Sequence, residues 1–206
     1  YYVSTTAATA QTACAAGTYQ PSTGQTTCID ANTGYYVASS AATSETACSP
    51  GTYNPSTGQS SCLDADAGYS VPNSGAGNQD PCSIGTYQPS TGQTSCLDAG
   101  AGYYVPATAS LSQTACPAGT YNPNNGSTSS AACTDADAGY YSSAGSASQT
   151  ACAAGAYQPS TGQPSCIDAS AGYYVSSTAA TTQTACAAGT YNPNTGSANS
   201  TACIDT

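Results

Sequence analysis

The chain is 206 residues long and has no Lys, Arg, His, Met, Trp or Phe, while its 10 Asp and Glu give a formal net charge of −10. With no cation to clamp phosphate or meet an anionic headgroup, nucleic acids and acidic membrane surfaces are excluded as partners, and no stretch is long and apolar enough to cross a bilayer. A Ser, Thr or Cys nucleophile would find no His or Lys to act as its base, so the chain is expected not to be an enzyme.

Leu, Ile and Val are scarce, and the frequent large apolar side chain is Tyr, with 17 copies. Such a chain cannot fill a conventional core, so stability is expected to come from its 12 Cys. Cysteine at this density fits an oxidising compartment, outside the cell or at its surface. Closed zinc or iron-sulfur sites lack ligands, because Cys-x-x-Cys pairs and His are both absent.

The chain opens at Tyr1-Tyr2-Val3, in the middle of a motif that recurs later, and is therefore expected to be a window on a longer array. From Cys14 the period is 34 residues: Cys14, Cys48 and Cys82 begin successive units, and a small insertion follows in the fourth. The divisions are a partial repeat at 1–13, repeats at 14–47, 48–81 and 82–115, an expanded repeat at 116–151, a repeat at 152–185 and a partial repeat at 186–206. A period of this length signals stacked units, none of which need be stable alone. Tyr19, Tyr36, Tyr53, Tyr69, Tyr87, Tyr104 and Tyr121 mark a weaker half-period, so each unit reads as two diverged versions of one small hairpin.

The first half of each unit carries Tyr-x-Pro-x-x-Gly, as at Tyr19/Pro21/Gly24 and Tyr157/Pro159/Gly162. Pro presets φ early in a turn and Gly accepts a positive φ at its end, which predicts strand, tight reversal, strand. Val3, Val37, Val71, Val105 and Val175 follow the tyrosines at strand-like positions. Ala-rich pieces such as Ala7 to Ala16 are interrupted by Thr, Ser and Gly and carry no aliphatic stripe, so helix is not expected. The fold class is a small disulfide-rich all-β array of tandem short β-hairpin modules forming an elongated rod. A tyrosine ring in each half-unit is expected to stack on its neighbour or on a disulfide as a one-dimensional core.

Local closure of each hairpin pairs Cys14–Cys28, Cys48–Cys62, Cys82–Cys96, Cys116–Cys133, Cys152–Cys166 and Cys186–Cys203. Pairing across the longer gaps is the alternative, and it would leave Cys14 and Cys203 to find partners elsewhere. Asp64 with Asp66, and Asp135 with Asp137, stand beside a Gly and offer oxygen ligands for structural calcium; the alternative role is turn capping. Asn125 and Asn199 open N-glycosylation sequons, and the Ser/Thr clusters Ser4, Thr5, Thr6 and Ser127, Thr128, Ser129, Ser130 are O-glycosylation candidates whose sugars would hydrate a surface poor in charge. No other cofactor is expected.

The core Cys-x-x-Gly-Thr-Tyr-x-Pro-x-x-Gly-x-x-x-Cys, at Cys14–Cys28, Cys48–Cys62 and Cys82–Cys96 and nearly intact at Cys152–Cys166, resembles the ephrin-receptor-like cysteine-rich repeats of the GCC2/GCC3 type. The usual second cysteine pair is replaced by Asp-Ala-x-x-Gly-Tyr-Tyr-Val, as at Asp30 to Val37. The resemblance implies an extracellular scaffold without chemistry. Low-charge versions are similar to algal and protist surface filaments of the mastigoneme kind, which points to a filament subunit that associates with itself or with other filament proteins. The alternative is a receptor-stalk or adhesin module for protein or carbohydrate, with Tyr69 to Asp80 and Tyr121 to Cys133 as the places where the pattern breaks. Ice binding is disfavoured because the Thr spacing is not strict.

Overall fold

The computed structural model describes residues 1–6 and 8–205; Ala7 and Thr206 lie outside them. The described chain is all-β, built from eleven two-stranded sheets whose strands are two residues long and pair with their sequence neighbours. β1 (Thr18–Tyr19) pairs antiparallel with β2 (Ile29–Asp30), and β3 (Tyr35–Tyr36) with β4 (Thr46–Ala47). The scheme runs on to Thr190–Tyr191 with Ile204–Asp205. No α-helix occurs among the described residues; two 3-10 turns, Ser130–Ala132 and Ser200–Ala202, are the only helical pieces there.

These turns have a simple origin. Four disulfide loops have a Cys separation of 14 and two have 17, and each 3-10 turn sits just before the second Cys of a longer loop. The insertion noted in the fourth unit is thus absorbed as one tight turn, without altering the pairing Tyr121↔Thr134.

Two compact units make up the chain: Tyr1–Leu97 with Ala107–Ser112, and Asp98–Pro106 with Gln113–Thr206. Within each, hairpins are tied to later hairpins by the same backbone bonds. In the first, Gly17 N–H donates to Val37 O at 2.8 Å and Gly51 N–H to Val71 O at 2.7 Å. Gly58 N–H donates to Ala31 O at 2.8 Å, and Gly92 N–H to Ala65 O at 2.7 Å. In the second, Gly119 N–H donates to Ser142 O at 2.7 Å and Gly155 N–H to Val175 O at 2.8 Å. These bonds satisfy backbone groups that two-residue strands leave without a ladder partner.

The valines are therefore not strand residues. Val37, Val71, Val105 and Val175 stand just after their strands and are buried, their backbones bridging to other hairpins. The tyrosines do not form the core either: most are half-buried, and Tyr173 and Tyr191 are exposed. The buried interior is made of small side chains. One column alternates Cys and Ala, as Cys14, Ala31, Cys48 and Ala65 in the first unit and Cys116, Ala136, Cys152 and Ala169 in the second, all at 0% exposure. The other alternates an amide with Val or Ser, as Gln20, Val37, Asn54 and Val71. Side chains this small let backbones approach closely enough to bond directly, and a ring at these positions would hold them apart.

Gly51 shows how tight the approach is. Its φ is +84°, and a Cβ added there would run into the carbonyl oxygen of Gly92. Gly68, with φ +87°, stands in the same relation to the carbonyl of Ala109. Each of these glycines is required twice, by its left-handed backbone and by the carbonyl beside it.

Candidate functional site

The chemistry the fold offers is structural, and it begins with how each hairpin is closed. The structure contains Cys14–Cys28, Cys48–Cys62, Cys82–Cys96, Cys116–Cys133, Cys152–Cys166 and Cys186–Cys203, with Cα–Cα distances of 5.6–5.8 Å, and no free cysteine. Every bond closes a short loop, and none joins distant repeats. Cys14, Cys48, Cys82, Cys116 and Cys152 are buried, while Cys186 and the second Cys of every pair are half-buried.

The hairpins between them have no disulfide, and a side-chain clamp takes its place. Seventeen residues after Cys28 stands Glu45, whose carboxylate accepts from the Asn32 backbone N–H at 2.7 Å and from its side-chain amide at 2.9 Å. Seventeen residues after Cys62 stands Gln79, which accepts from the Asp66 backbone N–H at 2.6 Å and donates to the Asp66 carboxylate at 2.6 Å. Gln113 with Gly100, Gln149 with Asp137 and Gln183 with Ser170 repeat the contact at 2.7 Å. The clamp spans 12 or 13 residues, close to the 14 of a short disulfide loop. Sequence reasoning passed over these residues, although their signal was present: Glu45, Gln113, Gln149 and Gln183 each open a Glu/Gln-Thr-Ala-Cys run.

Buried amides organise the disulfide-bearing hairpins from inside. Gln20, Gln88 and Gln158 each donate across their own loop to a backbone carbonyl at 2.8 Å and accept from the N–H two residues ahead. Asn54, Asn122 and Asn192 also donate within their own loops, to Ser61 O, Ser127 Oγ and Ser197 Oγ, and each donates in addition to another hairpin, to Tyr35 O, Tyr103 O and Tyr173 O at 2.9–3.0 Å. Among the described residues no buried side-chain polar atom lacks a partner, as a fold with an amide-lined interior requires.

The aspartates are exposed and face different ways. Asp64 and Asp135 lie on strands, with their carboxyl groups against Gly92 and Gly162 of other hairpins, whereas Asp66 and Asp137 are held by Gln79 and Gln149. Each Asp-x-Asp run is thus split between two partners, and no group of three or more potential metal ligands forms among the described residues. Of the sequons, Asn125 and Asn199 are both exposed. The Ser127 hydroxyl of the first accepts from buried Asn122 at 2.8 Å, whereas Asn199 caps a 3-10 turn and accepts from Thr201. Ser4, Thr5, Thr6, Thr128, Ser129 and Ser130 are exposed and Ser127 is half-buried. The pattern-breaking segment from Tyr69 to Asp80 folds as an ordinary clamped hairpin, with Tyr69↔Pro81 and Ser70↔Asp80 in register.

A family model described as tyrosine-protein kinase ephrin type A/B receptor-like matches residues 139–186. That segment holds the disulfide Cys152–Cys166 and the clamp of Gln183 with Ser170 and ends at Cys186, so it covers both kinds of hairpin. No curated protein matches the chain. The match supports an ephrin-receptor-like cysteine-rich repeat at this segment, and such disulfide-rich repeats fit an extracellular or cell-surface setting.

Proposed function

We propose that the chain is a structural segment of an extracellular, glycosylated filament or surface appendage, with no catalytic role and no cofactor. The observation that carries this reading is the recurrent internal bonding of successive repeats, which spends the polar side chains of the interior on holding hairpins together. The ephrin-receptor-like match at residues 139–186 supports an extracellular module. The low charge of the surface supports sugars as its hydration layer, on Asn199 and the exposed Ser and Thr clusters. A receptor-stalk role is the alternative, favoured by the description of the matching family.

Electron cryomicroscopy of the native material tests the proposal. Ordered copies in a repeating assembly, with density extending from Ser, Thr and Asn side chains, are expected. Dispersed single chains without such density would contradict it and favour the receptor-stalk role.

A further inference from the structure

The chain contains seven Leu and Ile residues, and all of them are exposed: Ile29, Leu63, Ile84, Leu97, Leu111, Ile167 and Ile204. A fold short of aliphatic side chains would be expected to bury them, yet its interior uses Cys, Ala, Val and amides instead. Their placement is not scattered. Ile29, Leu63 and Leu97 each directly follow the second Cys of a disulfide, in strand positions that are 44%, 50% and 47% exposed. The bonds between hairpins recur at the 34-residue period, so in the first unit these three occupy equivalent places in successive repeats and form a row. Tyr19 and Tyr53 lie directly across the strand pair from Ile29 and Leu63, which widens the apolar strip.

We infer that this row is a self-association surface, docking on the same row of a second copy of the chain. Charge separates a second copy from a basic partner. Adjacent strand residues point to opposite faces, so Asp30, Asp64 and Asp98 turn away from the row, and the carboxyl groups of Asp30 and Asp64 lie against Gly58 and Gly92. The row therefore brings no carboxylates together when two copies meet, and it offers nothing to attract a cation. Its spacing is matched by itself, so one contact repeats along the interface without further features. Each contact is small and the pairing of two isolated chains is weak, at the low end for protein interfaces; it strengthens with the number of repeats engaged. This rests on the filament proposal only in naming lateral contact as its means.

Thr134 supplies the test, because it stands at the same register in the second unit, opposite Tyr121, and the hairpin forms with it. Sedimentation of the oxidised, unglycosylated chain should show association above its 20.0 kDa monomer mass as concentration rises. The combined Ile29→Thr, Leu63→Thr and Leu97→Thr variant, with all six disulfides intact by mass, should weaken that association by at least about tenfold. Ile84→Thr with Leu111→Thr removes exposed aliphatic side chains outside the row and should leave association unchanged. A chain that stays monomeric to about 1 mM, association that survives the triple change, or equal loss in both variants would overturn the inference. None of these outcomes touches the filament proposal, which imaging of native material decides separately.

Discussion

The disulfide-bearing and disulfide-free hairpins have nearly the same backbone, but one is closed by a covalent bond and the other by a carboxamide or carboxylate. Cys14–Cys28 ties the ends of the first hairpin, and Glu45 bonded to Asn32 ties the corresponding ends of the next. The buried positions swap in step: where the disulfide is present the residue after the first strand is Gln20 or Asn54, and where it is absent that residue is Val37 or Val71. A cross-linked loop carries a buried amide that organises its turn, while a clamped loop relies on a small plug, Val or in one case Ser142, and on its bonds to neighbours. The bare hairpin thus takes its stability from the stack, as expected of repeat proteins, where interfaces between units contribute as much as the units themselves.

The largest effect should come from a feature both hairpin types share. Gly51→Ala, in a disulfide-bearing hairpin, and Gly68→Ala, in a clamped one, should each cost about 3 kcal/mol or more, since both add a left-handed Ala and drive its Cβ into a backbone carbonyl. Gly126→Ala, at φ +66° with nothing within 4 Å, should cost only about 1 kcal/mol. Thermal denaturation of the three variants checks this, and a similar shift in all of them would mean that the carbonyl approach does not matter.

Next in size is the closure itself. Replacing Cys82 and Cys96 together by Ser should cost about 3 kcal/mol, the loop-closure value for a ring of this size. Gln79→Ala removes two hydrogen bonds from an exposed clamp and should cost about 1–2 kcal/mol. Denaturant titration under oxidising conditions reads both, and a clamp loss equal to the disulfide loss would erase the distinction between the two closures.

The smallest effect concerns the turns. All six disulfide-bearing hairpins have Gly at the positive-φ turn position, for example Gly24 and Gly92, whereas the clamped hairpins use Ala41, Ala109 and Ala179 there as well as Gly75 and Gly145. Ala109→Gly should stabilise by about 0.5–1 kcal/mol, as relief of left-handed strain outweighs the added freedom of the unfolded chain. A lower melting temperature would show that the Ala methyl makes compensating contacts.

Much of this architecture was legible because the punctuation is strong. Cys spacing, the Pro and Gly of each Tyr-x-Pro-x-x-Gly, and the absence of any helical stripe lead directly to tandem hairpins. The interior was not legible, for a physical reason. Periodicity identifies buried faces only along strands of several residues, and these strands have two. With so short a ladder, burial is decided by contacts between hairpins, which placed Gln20 and Asn54 inside and Leu63 outside, against their usual preferences. Tyrosine attracted the expectation of a core because it is the largest apolar group, yet close backbone approach favours the smallest. The clamp residues escaped notice because the Glu/Gln-Thr-Ala-Cys run that marks most of them does not point to a partner until it is aligned with the cysteines of the preceding half-repeat.

The central claim is that the clamp occupies the place of a disulfide, and converting one into the other tests it most directly. Ala65 and Gln79 stand seventeen residues after Cys48 and Cys62, and Ala65 lies in the buried column where Cys48 is already accommodated. Peptide mapping by mass spectrometry of the Ala65→Cys, Gln79→Cys double variant should find a seventh cross-link, between positions 65 and 79, with the six original bonds retained. Two new thiols that remain free and open to alkylation in an otherwise correctly bonded chain would show that the two hairpin types do not share one closure geometry.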